Sequence, residues 1–396
     1  MDNRKKVIFS FVFAVVLLIT TIVLLFVLEM LAGYFEHSNL VPHFRLNHTW
    51  RPNGQCSHDE WISSNPEFNK PYKHFYNKQG WLEKYDIQEI KPEGTYRVFY
   101  VGDSFTEGTV TMEQSVPSLV EAALNKDFAG CRLKFEVINT GTSSYSPIIY
   151  YILIRYYILH YSPDLIVVNV YMTDDFDDWL YRQSLVVDID GNPLACPKLD
   201  CLKLLDISGA NLSGWDRIRL FFFDKSSLFR MLYKKTVSFF RGVNSNISEN
   251  RDTKGYQLNS WVKYERDPDT QANVSFTLDI LERIARYCKE SNVKLLLTGV
   301  PHYGQFVVND EGKRSWSIRP HQEIESIAKK YDVAYLDPFI YMDPYVIGTQ
   351  QTDYYYKSDE HFNPRGYALW AQAHIKALVD PKNKLLPDCA YVVNNK

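Results

Sequence analysis

Short apolar runs that end in small or polar residues recur along the chain from Tyr96 onwards and predict β-strands. The first run covers residues 97–101 and leads directly into Gly102, and the others cover 135–139, 165–171, 294–298 and 333–336. The run from Leu165 to Tyr171 is almost wholly apolar, as expected of a strand that is buried on both faces. These positions predict a five-stranded sheet.

Helical patterns separate the predicted strands. Pro117 opens one helix, residues 148–159 form a largely apolar second one, and the last helix covers 367–378. Between them, Phe276, Ile280, Ile284 and Tyr287 recur at helical spacing. Strands that alternate with helices of this length predict a parallel sheet covered on both faces, which is a three-layer α/β/α sandwich. In such sheets, ligands bind at the carboxyl ends of the strands.

The N-terminus carries a different pattern. Residues 7–28 contain no charged side chain, and a run of this length crosses a bilayer as a helix. Arg4, Lys5 and Lys6 precede it, which predicts a cytoplasmic N-terminus and an exported remainder. A cleaved signal peptide is the alternative, but it usually has a shorter apolar region and a small-residue cleavage site. We therefore expect an uncleaved anchor in the cell membrane, with a periplasmic or extracellular domain.

The pattern divides the chain into three parts. Residues 1–35 form the cytoplasmic tip and the anchor, residues 36–90 form a polar, aromatic stalk that packs against the domain, and residues 91–396 form that domain. A segment at about 178–276 is too long for an ordinary connection and predicts an insertion with its own structure. Within it, Trp215 to Arg241 is aromatic and basic. We expect a helix that packs its aromatic side chains inward, with a membrane-surface or site-capping helix as the alternative.

Composition and charge narrow the function classes. The 396 residues carry a net charge of -3 and are 45% hydrophobic, which fits a large buried core and gives no basic face for nucleic acid. No Cys/His spacing resembles a zinc site, and we expect neither a metal nor a cofactor. Six cysteines suit an oxidising compartment. Cys196 and Cys201 are close enough to close a loop, and Cys56 and Cys389 lie near the ends of the exported part, but the pairing stays open. We expect Cys288 to be a buried free thiol.

Two motifs carry candidate chemistry. Gly102-Asp103-Ser104 follows the first strand and presents a serine hydroxyl at the carboxyl edge of the sheet. Asp359-Glu360-His361 precedes the last helix and supplies a base, together with a carboxylate that could orient its ring. A serine needs such a base to become a nucleophile, and the base needs an orienting group. The two motifs together predict a Ser104–His361–Asp359 triad.

At these motifs the chain resembles the SGNH hydrolases, also called GDSL-type esterases, and in particular their membrane-anchored bacterial members. The resemblance covers about residues 90–380 and rests on Gly102-Asp103-Ser104-Phe105, on Asn139-Thr140-Gly141 and on Asp359-x-His361-x-Asn363-x-x-Gly366. It implies a flavodoxin-like strand order and serine ester chemistry. It also implies that the backbone N–H groups of Ser104 and Gly141 donate to an oxyanion.

The chain departs from that family at the third oxyanion donor, which is normally an asparagine. Asp174 stands at this position, with Thr173 beside it. An ionised aspartate accepts hydrogen bonds and does not donate them. Burial could keep Asp174 protonated, Thr173 could donate instead, or the site could be slow; a solvated loop is the alternative for this acidic run, residues 174–178. The carboxylate partner of His361 is also open, since some family members place it at the position of Ser358.

Two further features each have two interpretations. His302 follows the fourth strand and either touches a substrate or is an ordinary loop histidine. Tyr354, Tyr355 and Tyr356 either stack on sugar rings or close a pocket rim. The resulting hypothesis is an anchored serine esterase or O-acyltransferase whose partner is an acylated carbohydrate or another small ester. The alternatives are a catalytically weak binding or assembly component of an envelope polysaccharide machine, and a lipid esterase at the membrane surface.

Overall fold

The computed structural model describes residues 3–35, 39–57, 72–198, 214–241, 257–357 and 360–393. The chain begins with helix α1 (Asn3–Phe35), of which the 26 residues Ile8–Gly33 are long and apolar enough to cross a membrane. The side chains of residues 8–28 are exposed, whereas Glu29 and Ala32, near the carboxyl end of the helix, contact or are buried by the rest of the chain. This confirms the N-terminal apolar helix.

The remaining strands and helices follow in chain order. The strands are β1 (Leu40–His43), β2 (Asn47–Trp50), β3 (Gln55–Ser57), β4 (Lys73–Phe75), β5 (Thr95–Val101), β6 (Lys134–Asn139), β7 (Leu165–Tyr171), β8 (Val186–Val187), β9 (Pro193–Ala195), β10 (Lys294–Val300) and β11 (Ala334–Leu336). The helices are α2 (Ser104–Glu107), α3 (Val116–Asp127), α4 (Pro147–Tyr156), α5 (Asp174–Tyr181), α6 (Gly214–Lys225), α7 (Ser227–Arg241), α8 (Pro268–Glu290), α9 (Arg319–Tyr331), α10 (Pro338–Val346), α11 (Gln351–Tyr354), α12 (Pro364–Val379) and α13 (Asp388–Val393).

Five strands form the central sheet in the order β11-β10-β7-β5-β6. Every neighbouring pair in it is parallel. In chain order this is the flavodoxin-like arrangement, in which the strand order reverses between β5 and β7. Both the predicted strands and the expected fold class are confirmed, and the reversal point is where a ligand crevice is expected.

Helices cover both faces of the sheet, and alternate residues of each strand enter one of two cores. On one face, Phe99 of β5 packs with α4, α8 and α9. On the other face, Tyr100 packs with α3, α10 and α12. This alternation is the ordinary consequence of the two-residue period of a strand. It produces the three layers that the alternating pattern predicts.

The described part of residues 36–90 packs closely against the central sheet. Leu46, Trp81 and Ile87 belong to the same core cluster as Phe99. The strands β3 and β4 form a small antiparallel pair beside it. Tyr76 OH donates a hydrogen bond of 2.7 Å to Glu107, and His74 Nε2 lies 2.7 Å from Val110 O, so this segment reaches the loop after β5 at the carboxyl edge.

The structure shows one pairing among the described cysteines, which the sequence left open. A disulfide joins Cys131 to Cys389, 258 residues apart in sequence. Cys56 and Cys196 are free thiols, so neither a Cys56–Cys389 nor a Cys196–Cys201 bond is present; Cys201 itself lies outside the described residues. Cys288 is buried and free, as predicted, and burial raises its pKa to about 12.

Removing this disulfide is expected to destabilise the domain. Cys131→Ser should lower the free energy of unfolding by about 2–4 kcal/mol, because the crosslink restricts a very long loop in the unfolded chain. Chemical denaturation of the purified full chain measures the change. Cys196→Ser, which removes a buried thiol without breaking a crosslink, is the matched control. Equal effects of the two substitutions would contradict the prediction.

The aromatic and basic segment of the insertion differs from the prediction of a single helix with inward aromatic side chains. It forms two helices, α6 and α7, separated at Ser226. Phe223 is buried, but Trp215, Phe221 and Phe222 are exposed. The prediction was wrong because the aromatic residues cover more of the circumference of α6 than its single contact face can bury.

Candidate active site

Ser104 lies at the carboxyl edge of the sheet, as its position after β5 predicts. It is the first residue of α2, and the Asp103 side chain caps this helix by accepting a hydrogen bond of 2.9 Å from Phe105 N. A side chain at Gly102 would overlap Thr106 and approach Asn169 O within 3.1 Å. The glycine therefore permits the tight turn that brings the Ser104 hydroxyl to the edge.

His361 comes to the same place from the loop before α12. Its Nε2 lies 2.7 Å from Ser104 Oγ, although 257 residues separate the two in sequence. The Phe105 ring stacks on the imidazole with ring centres 4.5 Å apart. This stacking and the hydrogen bond together restrict the ring to one orientation. The structure thus brings the predicted nucleophile and base together.

The other residues of the His361 motif shape its loop. The Asn363 side chain caps α12 by accepting hydrogen bonds from Arg365 N (2.9 Å) and Gly366 N (3.1 Å). A side chain at Gly366 would overlap Tyr354 O, so only glycine permits this close approach. Their functions are structural, since they fix where the loop turns and hence where His361 lies.

The third residue of the predicted triad is not among the residues that the structure describes. Asp359 and the alternative Ser358 both lie outside the described residues. Their neighbour Glu360 is described: its carboxylate accepts a hydrogen bond of 2.7 Å from Tyr171 OH and lies 3.0 Å from His302 Nε2. The side-chain contact with His302 lowers the pKa of Glu360. The assignment of Asp359 as the orienting carboxylate stays a prediction.

A cavity of about 320 Å³ opens over Ser104. Its described lining comprises Asp103, Ser104, Phe105, Ser144, Tyr171, Thr173, Asp177, Glu360 and His361. Within this described lining there is no lysine or arginine, and three side chains are carboxylic acids. Burial raises the pKa of one of them, Asp103, to about 6, although the nearby His361 opposes that shift. The cavity is therefore polar and acidic rather than apolar.

The four candidate oxyanion donors have different surroundings. Ser104 N is in the first turn of α2, where backbone N–H groups have no partner within the helix. Gly141 N donates a hydrogen bond of 3.0 Å to Asn139 Oδ1 within its own turn. Thr173 lines the cavity, whereas Gly141 and Asp174 are not among its described lining residues. All four assignments stay predictions.

Asp174 is buried and faces other protein groups. Its Oδ2 accepts hydrogen bonds from Tyr150 OH (2.9 Å) and Tyr171 N (3.1 Å). Burial, reinforced by the neighbouring carboxylates of Asp103, Asp177 and Asp178, raises its pKa well above the ordinary value. This direction favours the protonated form, in which an aspartic acid can donate a hydrogen bond.

The acidic run of residues 174–178 is not a solvated loop. It starts helix α5, and Asp174, Asp175 and Asp178 are buried. Asp178 accepts hydrogen bonds from Ile148 N (3.0 Å) and Thr277 Oγ1 (2.8 Å), which ties α5 to α4 and α8. Sequence reasoning missed this function because both donors are remote in sequence.

Asp178 is expected to make stability depend on pH. Burial raises its pKa from 3.8 to about 6, so folding favours its protonated form. The contribution of the protonated Asp178 to the free energy of unfolding is up to about 3 kcal/mol. It is fully present below about pH 4 and is lost as the pH rises through 6. Asp178→Asn should therefore flatten the unfolding free energy between pH 4 and 7. Asp190→Asn, at an exposed position, should leave the wild-type slope, and an unchanged slope in Asp178→Asn would contradict the prediction.

The tyrosines of residues 354–356 do not form a sugar platform. Tyr355 and Tyr356 are buried, and their hydroxyls donate to Pro301 O (3.0 Å) and Thr109 O (2.9 Å). They support the loop that carries His361. His302 is also buried and stacks on Trp316 at 3.9 Å; it is not among the described lining residues of the cavity, but it contacts two that are, Glu360 and Tyr171.

Comparison with known proteins gives matches among solved structures alone. No family model and no curated protein matches the chain. An acetylxylan esterase, Axe2 from Geobacillus stearothermophilus, is 10% identical with a TM-score of 0.42, over 74% of this chain and 96% of its own. A putative GDSL-like lipase from Parabacteroides merdae is 13% identical with a TM-score of 0.40, over 76% and 100%. LAE5, an alpha/beta hydrolase from the Lake Arreo metagenome, is 12% identical with a TM-score of 0.40, over 73% and 96%.

The chain has the three-layer α/β/α fold, with flavodoxin-like strand order, that its resemblance to the SGNH hydrolases implies. In this fold, the serine motif follows the first sheet strand and the histidine motif precedes the last long helix, so both open onto the strand-order reversal between β5 and β7.

Proposed function

We propose that this protein is a membrane-anchored serine esterase or O-acyltransferase that acts outside the cytoplasmic membrane on acyl esters, and above all on acetyl esters of a glycan. The observation that carries the proposal is the 2.7 Å contact between Ser104 Oγ and His361 Nε2 inside a polar cavity. A serine hydroxyl that is hydrogen-bonded to an imidazole is the arrangement from which acyl transfer proceeds.

The reaction follows from these two groups. Ser104 Oγ attacks the ester carbonyl carbon while His361 Nε2 takes the hydroxyl proton, and the C–O bond to the alcohol then breaks as His361 returns that proton to the leaving oxygen. Water or a sugar hydroxyl next attacks the acyl-serine carbonyl carbon while His361 takes its proton, and the bond from that carbon to Ser104 Oγ then breaks as His361 returns the proton to Oγ. Asp359 would hold the imidazole in the required tautomer. Ser104 N, Gly141 N, Thr173 and Asp174 are the candidate groups for stabilising the oxyanion.

The lining of the cavity supports a neutral substrate. The carboxylic acids of Asp103, Asp177 and Glu360 would repel phosphate or carboxylate groups. Carboxylates that face a cavity accept hydrogen bonds, and sugar hydroxyls can donate them. An acetyl group on an uncharged sugar fits these surroundings better than an anionic ester does.

The proposed location rests on the N-terminus and on the cysteines. The span Ile8–Gly33 follows the basic residues Arg4, Lys5 and Lys6, an arrangement that keeps the N-terminus cytoplasmic. The disulfide between Cys131 and Cys389 supports an oxidising compartment for the domain. The domain would then lie on the periplasmic or extracellular side.

Labelling by a fluorophosphonate tests the serine mechanism. The purified full chain in detergent should label and should hydrolyse p-nitrophenyl acetate, and Ser104→Ala should abolish both. Ser118→Ala, a serine on α3, is the control that should label like the wild type. Adding a neutral oligosaccharide to the reaction and analysing acetylated products by mass spectrometry separates transfer from hydrolysis. Labelling that survives in Ser104→Ala would overturn the proposal.

A catalytically weak binding component of a polysaccharide-modifying assembly is the second candidate. It is favoured by the Gly141 N–H, which is already hydrogen-bonded, and by the buried contacts of Asp174. An unreactive wild type whose Asp174→Asn variant labels would indicate an esterase site that this one residue disables. If both proteins are unreactive, the binding function is favoured.

A further inference from the structure

Helix α6 exposes an unusual set of large apolar side chains. Trp215 is 76% exposed, Phe221 58% and Phe222 48%. Ile218 on the same helix and Leu232 on α7 are also exposed. Single exposed apolar residues are ordinary, but a contiguous group of this size on a surface helix marks a place that contacts something apolar.

These side chains lie together on one side of the helix. At 3.6 residues per turn, positions 215, 218, 221 and 222 fall within an arc of about 120°. Phe223 lies outside this arc and is buried. The buried Arg230 of α7 donates a hydrogen bond of 2.7 Å to Phe223 O. The pair α6–α7 is therefore packed on one side and presents an apolar face on the other.

The helix pair is attached directly to the membrane-spanning helix. The Glu29 carboxylate of α1 accepts hydrogen bonds from Ser226 Oγ (2.6 Å) and from the backbone N–H groups of Ser227 (2.6 Å) and Leu228 (3.3 Å). It thereby caps the N-terminus of α7, where a negative charge is favourable. A carboxylate held in this way fixes the start of α7 beside residue 29.

The position of Glu29 sets the depth of the helix pair. A hydrocarbon core about 30 Å thick needs about 20 helical residues, so a span that enters at Ile8 leaves the core close to Val27. Glu29 then lies at the outer boundary of the core, among the headgroups. The start of α7, which Glu29 caps, and the adjoining end of α6 must lie at the same level.

From these observations we propose that the α6–α7 pair lies on the outer surface of the lipid bilayer, with Trp215, Phe221 and Phe222 inserted at the boundary between headgroups and acyl chains. Aromatic side chains concentrate at this boundary, and helices with one apolar face lie in its plane. The exposed Lys225 and Lys235 would contact anionic headgroups. The inference rests on the proposed membrane anchor, and it adds a second membrane contact that holds the catalytic domain in a fixed orientation.

Depth-dependent fluorescence quenching tests the inference on the full chain in lipid nanodiscs that contain phosphatidylglycerol. A fluorescent amino acid is placed in separate samples at position 215, at position 22 inside the span, and at position 340. Ile340 is 68% exposed on α10 and is the solvent control. Lipids brominated near the headgroup should quench position 215 at least threefold more than position 340. Lipids brominated deep in the acyl chain should quench position 22.

The outcomes separate the inference from the proposals on which it rests. Quenching at position 22 with none above the control at position 215 would overturn the membrane contact and leave the anchor intact. No quenching at position 22 would overturn the anchor and this inference together, while fluorophosphonate labelling of Ser104 still reports on the enzyme. In a second arm, F221S/F222S should weaken quenching at position 215, whereas Phe75→Ser, at an exposed aromatic residue of β4, should not.

Discussion

Replacing His361 with alanine is expected to lower kcat/KM for a soluble acetyl ester by about 10⁴-fold. The reason is geometric, because His361 Nε2 is the group that lies 2.7 Å from Ser104 Oγ. Without it, the hydroxyl would have to lose its proton to water during attack. Steady-state hydrolysis of p-nitrophenyl acetate by wild type and variant measures the difference.

Two control variants distinguish loss of the catalytic base from a general effect of the substitution on the fold. His160→Ala, at an exposed position away from the cavity, should retain wild-type activity. His361→Gln keeps a planar polar group stacked on Phe105 yet cannot serve as a base, and it should be as inactive as alanine with nearly wild-type stability. An active His361→Gln would assign the histidine a packing function and remove it from the mechanism.

The sequence predicted the parts of the site that depend on strand ends. Ser104 and His361 could be expected to meet because the loops after parallel strands open onto one edge of the sheet. Five strands and their carboxyl ends follow from local apolar runs, and the structure confirms them within a few residues. These features need no knowledge of distant contacts.

The features that sequence reasoning missed depend on partners far away in the chain. Asp178 is buried because Thr277 and Ser146 donate to it from other helices. No local pattern distinguishes such an aspartate from a solvated one. The exposed aromatic face of α6 belongs to the alternative that the sequence did not favour, since apolar residues at helical spacing normally face a protein core, and only the exposure of these side chains in the structure shows otherwise.

The position of Glu360 could be predicted from the sequence, but its contacts could not. It directly precedes His361, so its closeness to the site could have been inferred from the motif. Its contacts with Tyr171 and His302 could not, because these come from the ends of β7 and β10. Together they connect the histidine loop to two strand ends at the edge of the cavity.

A second large effect is expected at Glu107, the last residue of the short helix that begins with Ser104. Its buried carboxylate accepts hydrogen bonds from Tyr76 OH (2.7 Å) and from Ser143 N (3.0 Å) and Oγ (3.1 Å). It also lies 3.6 Å from His74 Nδ1. The carboxylate therefore joins three parts of the chain: the segment around His74 and Tyr76, the helix of the nucleophile, and the loop after Gly141.

Glu107→Ala should lower the free energy of unfolding by about 3–5 kcal/mol, because it leaves several buried donors without their acceptor. Glu107→Gln keeps one acceptor oxygen and should cost less than half as much. Chemical denaturation of the full chain measures both effects. Activity should fall with stability in Glu107→Ala, since the same carboxylate fixes Ser143 beside the Ser104 helix.

The nearby Glu113 provides the matched control. Its side chain is 65% exposed and pairs with Lys84 at the surface, so Glu113→Ala should change stability by less than about 1 kcal/mol. A Glu107→Ala protein as stable as Glu113→Ala would mean that water or relaxation satisfies the orphaned donors. In that case the Glu107 carboxylate would not be what holds the described part of residues 36–90 against α2. The hydrophobic packing of Leu46, Trp81 and Ile87 would have to hold it there.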